Sequence, residues 1–281
     1  MPSTETLRRL YDDQLRGDAE IGQASSSERA GPLWRTRFAG QGFVTYRSLD
    51  GVGGHELDQL IKDTVTYYRD VTECHEFEWK TRGHDLPADL PARLVAHGLE
   101  PEEVETVMIG AAEAMAVDVP LPDGVSVRRA GDGRDLHADL ERACAMHGAV
   151  FGPGGPGPDV LAADIASNLD GLDLWLAESG GEVVGAGRLE RVVGTDVAGL
   201  WGGGVLPEWR GKGIYWAITS ARARAALAVG AALLQCDCSE MSRPILERNG
   251  FVAITTTTPY VWKRQVSPGE PGCPSGVGRA G

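Results

Sequence analysis

The stretch that most restricts this chain is Gly202-Gly-Gly-Val-Leu-Pro-Glu-Trp-Arg-Gly-Lys-Gly-Ile214. In it an extended run passes through a proline into a glycine-bearing turn and then into apolar residues at helical spacing. A strand that feeds a helix this way aims the helix's unpaired N–H groups and the positive end of its dipole at one point, so an anion belongs there. Gly211 and Gly213 keep side chains clear of that point, while Arg210 and Lys212 bring positive charge to it. A hydrogen bond from one such N–H to a charged oxygen contributes about 1.5–3 kcal/mol, so several together suit a pyrophosphate. The helix predicted over 214–229 carries Ile214, Ala217, Ile218, Ala221, Ala225 and Ala228 on one face.

Around this turn the apolar spacing alternates between the two periods. A strand is predicted over 125–129 and a helix over 135–150, with Leu136, Leu140, Ala143 and Cys144 on one face. After the glycine-proline run 151–158 a second helix is predicted over 159–168. Strands follow at 172–178, 182–193 and 197–206, separated by Gly180-Gly181 and Gly194-Thr-Asp196, a pattern that suits an antiparallel meander. Beyond the central helix come a strand at 231–236, a helix at 243–248 stopped by Asn249-Gly250, and a last strand at 251–263. Gly185 and Gly187 open a dinucleotide-like pattern, but the third glycine is missing and strand character follows, so they read as small residues in a central strand.

The segment Arg210-Gly-Lys-Gly-Ile214 after a strand ending in Val-x-Pro resembles the pyrophosphate loop of the GNAT acetyltransferases. Gly250-Phe251 and the element order over about half the chain resemble that family as well. Tyr215 departs from the pattern, standing where the family has Gly or Ala. The resemblance implies an α+β fold with a mixed central sheet flanked by helices, of the acyl-CoA N-acyltransferase type. It implies acetyl-CoA as co-substrate, no metal, and transfer of the acetyl group to a primary amine of a small molecule or peptide. Gly203, Gly204, Val205, Arg210, Gly211, Lys212, Gly213, Ile214 and Tyr215 then become the residues that hold the cofactor. The backbone at Gly203 to Val205 would supply the oxyanion donors. Such chemistry needs a base and, where the leaving thiolate requires it, an acid. Glu190 or Asp237, directly or through water, is the candidate base. The family's tyrosine five residues before the Phe of the Gly-Phe pair is Leu246 here, so Ser239, Ser242 or water would replace it, or no acid is needed. Tyr260 is a further candidate. A CoA-binding sensor or scaffold without turnover is the alternative reading, motivated by Tyr215 and Leu246.

The first half has a series of its own: strand 42–46, helix 56–69, strand 76–82, helix 90–97, Gly98-Leu99 and strand 104–109. This repeats the order of the second half from residue 197, and Leu94 to Leu99 overlies Leu246 to Phe251 in pattern, which suggests two GNAT-like halves with a degenerate first copy. Its loop 48–55 has glycines but Asp50 and no Arg or Lys, unsuited to a pyrophosphate. Glu76 and Glu78 alternate with Phe77 and Trp79 and could attract an amine if their face lines a cleft. The expected domains are a polar segment 1–30 with a short helix and a flexible stretch, a GNAT-like domain 31–120, a catalytic domain 125–265 after the Pro120-Leu-Pro-Asp-Gly124 break, and a disordered tail 266–281.

A formal net charge of -13 disfavours nucleic acid and anionic membranes as partners. Five cysteines without paired spacing read as reduced thiols, and Cys236-Asp-Cys238 lacks a second ligand pair for zinc. The charged first residues and the lack of a long apolar run point to a cytoplasmic protein, monomeric or homodimeric.

Overall fold

The structure, a computed structural model, describes residues 2–264 apart from 23, 39, 153–154 and 169–170. The tail expected to be disordered and Cys273 lie outside the described residues. By its contacts the chain divides at 106/107 and again at 253/254, rather than at the Pro120 to Gly124 break.

The first unit holds α1 (Thr4–Gln14), β1 (Ser26–Ala30), β2 (Leu33–Phe38), β3 (Gln41–Thr45), α2 (Gly54–Asp70), β4 (Glu76–Arg82), α3 (Leu90–Ala96) and the two-residue β5 (Glu100–Pro101). Ser3 caps α1 by accepting from the Thr6 N–H, and the helix turns Leu7 and Tyr11 inward. The segment before Ala30, expected to be flexible, contains β1. Its residues are polar and mostly exposed, so no periodicity betrays them, and what orders them is antiparallel pairing with β2 around Gly31 at φ +60. The core stacks Tyr68, Phe77 and Trp262, with centroids 4.4 and 5.6 Å apart, over Leu57, Ile61, Leu90 and Leu94.

The second unit opens within β6 (Glu105–Ala111) and continues through α4 (Ala112–Met115), β7 (Val125–Arg129), α5 (Leu136–Phe151), α6 (Pro158–Ser167), β8 (Leu172–Ser179), β9 (Glu182–Arg191), β10 (Val197–Val205), α7 (Ile214–Ala228), β11 (Leu233–Cys238) and α8 (Arg243–Arg248). The last strand, β12 (Val252–Lys263), belongs from Ile254 onward to the first unit, because residues 257–263 pair along the whole of β4. Strand order is β1-β2-β3-β4-β12 in the first unit and β6-β11-β10-β9-β8-β7 in the second.

In the second unit α5 and α6 pack on one face of the sheet, around Leu140, Ala143, Leu161 and Leu174. Helices α7 and α8 pack on the other, around Ala223, Ala226, Leu234 and Leu246. Strand β11 starts two residues later than expected. Gly230 at φ +82 and the Ala231 N–H, which bonds back to Ala226 O, close the end of α7 and use up the first residues of the anticipated strand. Strand β9 ends at Arg191, where the Val192 N–H bonds to Val197 O and the chain turns through Gly194.

Each unit contains a short parallel pairing joined by a helix. In the first, Gly42 to Val44 pair with Phe77 to Trp79. In the second, Val197 to Gly199 pair with Leu233 to Gln235. In the second unit both strands run on past this pairing, β10 to Val205 and β11 to Cys238, which leaves a gap between them.

Candidate active site

In the second unit the gap between β10 and β11 lies beside a break in β10. The ladder to β9 runs from Ala198↔Arg191 to Trp201↔Arg188 and resumes at Gly204↔Ala186, so Gly202 and Gly203 pair with neither neighbouring strand. Gly202 adopts φ +57, a conformation that residues with a β-carbon adopt at a cost. Its carbonyl oxygen accepts a 2.8 Å hydrogen bond from His147 Nε2 on α5. The bond fixes the orientation of the peptide, and because a trans peptide points its N–H opposite to its carbonyl, the Gly203 N–H faces away from His147.

Nothing in the sequence singled out His147, which sits in a helix whose apolar face explains its neighbours. With Nε2–H donating, Nδ1 carries the lone pair. Burial, helped by the positive charges of Arg188 and Arg222, holds the imidazole down at about 4. Its folded value therefore lies below the ordinary 6.5, the native state binds fewer protons than the unfolded chain between those values, and stability falls as pH drops through that window. The parent protein is expected to lose up to about 3 kcal/mol between pH 6.5 and 4 from this group, and His147→Gln to lack that component. Urea midpoints at several pH values check this; parallel pH profiles for both proteins would contradict it.

On the α5 face of the sheet, Glu190 and Gln235 both stand across from Gly199, one strand to either side of it, so their side chains share a face. Gly199 leaves room there for the Trp201 indole, which lies where a β-carbon would be. Asp237, two residues on from Gln235 and buried, accepts a 2.8 Å bond from Gln235 Nε2. The two carboxylates proposed from sequence are thus on one face around Trp201. Ser239 lies beyond the end of β11, exposed, its Oγ 3.3 Å from that of Ser242. Tyr260 is not part of this arrangement. It packs in the core of the first unit, because β12 is drawn there by pairing with β4.

The glycine turn follows β10 through a short 3-10 turn at Pro207–Trp209. Gly211 and Gly213 adopt φ +73 and +78. Gly213 is the N-cap of α7 and offers no side-chain cap, so the first N–H groups of a 15-residue helix are left without intrahelical partners. Arg210 Nε bonds back to Val205 O at 3.2 Å, tying the turn to the strand. Lys212 Nζ rests over the Trp209 ring, 4.5 Å from its centroid.

Tyr215 turns into the gap between β10 and β11. Its ring lies against Gly203, with Cε2 3.0 Å from the position of a β-carbon there, and Ser242 and the thiols of Cys236 and Cys238 are nearby. Burial pushes the phenol up to about 12. Leu246 is fully buried in the core beside α7. Among the described residues no group of three or more His, Cys, Asp or Glu could hold a metal ion, and no helix is long and apolar enough to cross a membrane.

Residues 140–251 match the family model described as the acetyltransferase (GNAT) family. Among solved structures, the chain is similar to a GCN5-related N-acetyltransferase from Kribbella flavida, with 17% identity, 96% of this chain and 97% of that one covered, and a TM-score of 0.64. It is similar to a GCN5-related N-acetyltransferase from Sphaerobacter thermophilus at 16% identity, 83% and 76% coverage and a TM-score of 0.61. A tandem GNAT protein from the clavulanic acid biosynthesis pathway matches at 13% identity, 84% and 79% coverage and a TM-score of 0.55. No curated protein matches the chain by sequence. The fold is therefore that of the acyl-CoA N-acyltransferases, in a form with two GNAT-like halves, and within it residues 140–251 match the GNAT acetyltransferase family model.

Proposed function

We propose that the second half transfers an acetyl group from acetyl-CoA to a primary amine of a small molecule or peptide, in the cytoplasm. The observation that carries this reading is the combination, within a few residues, of an uncapped helix N-terminus behind Gly211 and Gly213 with a bulge at Gly202 and Gly203 that frees backbone from the sheet. The first is suited to the pyrophosphate of CoA and the second to the thioester carbonyl. Gly203, Gly204 and Val205 would line the acyl end, and residues 210–215 the phosphate end.

In this reading the neutral amine attacks the thioester carbon, the carbon–sulfur bond breaks, and the amine gives up a proton to Glu190 or Asp237, directly or through water. The departing thiolate takes a proton through the hydroxyls of Tyr215, Ser242 and Ser239, which run from Gly203 to the exposed end of β11. Tyr215, from the start of α7, thereby replaces the side chain absent at Leu246. The first half plays a structural part. There Glu20 bonds both Thr45 on β3 and Arg82 on β4, so the chain's own carboxylate occupies the space corresponding to the second half's gap.

The alternative, CoA binding without turnover, is favoured by the same tyrosine, because its ring stands where the acyl end of CoA would lie. Two measurements separate these outcomes. If CoA binds, 100-fold saturation stabilises the native state by about 2.7 kcal/mol, a rise in melting temperature of several degrees. Thiol release from acetyl-CoA with a panel of primary amines then reports turnover. No thermal shift at millimolar CoA overturns the assignment, and a shift without thiol release selects the sensor.

A further inference from the structure

Arg222 on α7 is 1% exposed and among the largest fully buried side chains of the molecule. Its Nη1 donates to Arg188 O at 3.0 Å and its Nη2 to Thr219 Oγ1 at 3.2 Å, while Nε has no partner. Among the described residues no carboxylate pairs with it. The groups with acidic protons that face it are the Tyr215 phenol and the Cys236 thiol, both neutral at physiological pH, and Arg188 and His147 lie close by. Burial lowers its pKa, but a guanidinium stays charged. A full positive charge is thus held in the interior without a counter-ion, an arrangement that a Met or Leu of similar reach would avoid.

Two glycines make room for it. A β-carbon at Gly187 would come within 2.8 Å of Nη1, and one at Gly203 within 3.5 Å of Nη2. The second of these places the charge directly behind the unpaired peptide of the bulge, on the α7 side, opposite His147. A buried charge without a partner in the free protein is stabilised if negative charge appears beside it during function. Thioester aminolysis generates two such charges in succession, the oxyanion and the thiolate.

We propose that Arg222 is an uncompensated positive charge held behind the Gly202–Gly203 bulge to stabilise the anionic oxygen and sulfur of thioester cleavage. This rests on the acetyl-CoA reading. Arg222 acts through its field and remains out of contact with solvent, which separates it from the backbone N–H groups of the bulge. A merely structural arginine would stabilise the fold and leave the acidity of a nearby thiol unchanged.

The test uses CoA itself as the probe, since it ends in the thiol that the field would act on. Thiolate formation by bound CoA is titrated by ultraviolet difference absorbance against the desulfo-CoA complex, in the parent protein, Arg222→Lys, Arg222→Met and Arg222→Gln, with calorimetry giving the affinities. In the parent and in Arg222→Lys the thiol is expected about one unit more acidic than in free CoA, the effect of one charge roughly 10 Å away at an effective dielectric near 20. In Arg222→Met and Arg222→Gln it returns to the free value, CoA affinity changes by less than about threefold, and the unliganded melting temperature of Arg222→Met stays level or rises. Equal thiol acidity in the parent and the uncharged variants, or a lower melting temperature in both uncharged variants with the acidity unmoved, overturns the proposal while leaving CoA binding intact. Failure of the parent to bind CoA overturns the functional reading, and this inference with it.

Discussion

Gly213→Asp is expected to abolish measurable CoA binding while leaving the fold in place. Gly213 has φ +78, so any side chain there costs about 1 kcal/mol of backbone strain. The space is otherwise open: a β-carbon would find Pro120 O at 3.4 Å and nothing nearer. The variant therefore folds, and the damage appears when the ligand arrives. The added carboxylate stands at the N-cap of α7, among the N–H groups that the proposal assigns to the pyrophosphate, and it repels that anion while competing for the same donors. Loss of two or three charge-assisted bonds plus repulsion amounts to about 4 kcal/mol or more, roughly a thousandfold in affinity. Arg210→Ala is expected to cost less, about 1–2 kcal/mol, because it removes one flexible charge and the bond to Val205 O but leaves the backbone cradle standing. Calorimetric titration of CoA into both variants, with circular dichroism confirming their fold, reads the order directly. CoA binding by Gly213→Asp at parental affinity would falsify the assignment of this turn.

Glu20→Ala is expected to destabilise the first unit by about 3–5 kcal/mol, the usual cost of removing one partner from a buried ion pair. Arg82 is fully buried, and Glu20 is its only carboxylate partner among the described residues. Arg82 also bonds Tyr11 Oη through Nε and Lys80 O through Nη1, contacts that hold the guanidinium in place once its counter-ion is gone. Burial by itself would raise the Glu20 carboxyl, yet the charges of Arg82 and Lys80 outweigh it and hold the group at about 2. Because this lies below the unfolded value near 4.5, the stabilisation is fully present above pH 4.5 and is lost as pH falls through 2. The difference corresponds to roughly 3 kcal/mol, in line with the range expected for the truncation. Urea unfolding of the parent and Glu20→Ala at neutral pH measures the effect, and a loss below 1 kcal/mol would show that Arg82 finds compensation elsewhere. Glu20→Leu combined with Arg82→Met is expected to recover much of what the single change removes, since it withdraws both charges together.

Much of the second half could be read from its residues because its local signals agree with one another. Glycines at 211 and 213, a proline at 207 and the apolar stripe of α7 all demand the same strand, turn and helix, and each acts within a few residues of chain. Element boundaries follow from the sequence closely where burial alternates, as in β4, and where turn residues flank the element, as Asp123-Gly124 before β7 and Asn249-Gly250 after α8, and drift where a cap uses up residues, as between α7 and β11. Strand β1 escaped because its residues carry no buried face, and only its partner strand gives it form.

The residues of the candidate site that were missed share a different property. His147, Trp201 and Arg222 lie on three separate elements, and what makes each notable is a neighbour distant in sequence: Gly202 for His147, Gly199 for the folded-over Trp201, Gly187 and Gly203 for Arg222. An arginine on a helix reads as a solvated residue until the packing shows that it has neither water nor a carboxylate. The placement of β12 is similar. Its sequence specifies a strand, but hydrogen-bond pairing with β4, from Thr257↔Arg82 to Lys263↔Glu76 and so far back along the chain, decides which unit it completes. Local propensity and periodicity thus determined the elements, the phosphate-type turn and the family resemblance. Which strand pairs with which, where the sheet opens, and which charge is left without a partner behind that opening were decided by long-range packing, because those are properties of contacts between segments and not of any segment alone.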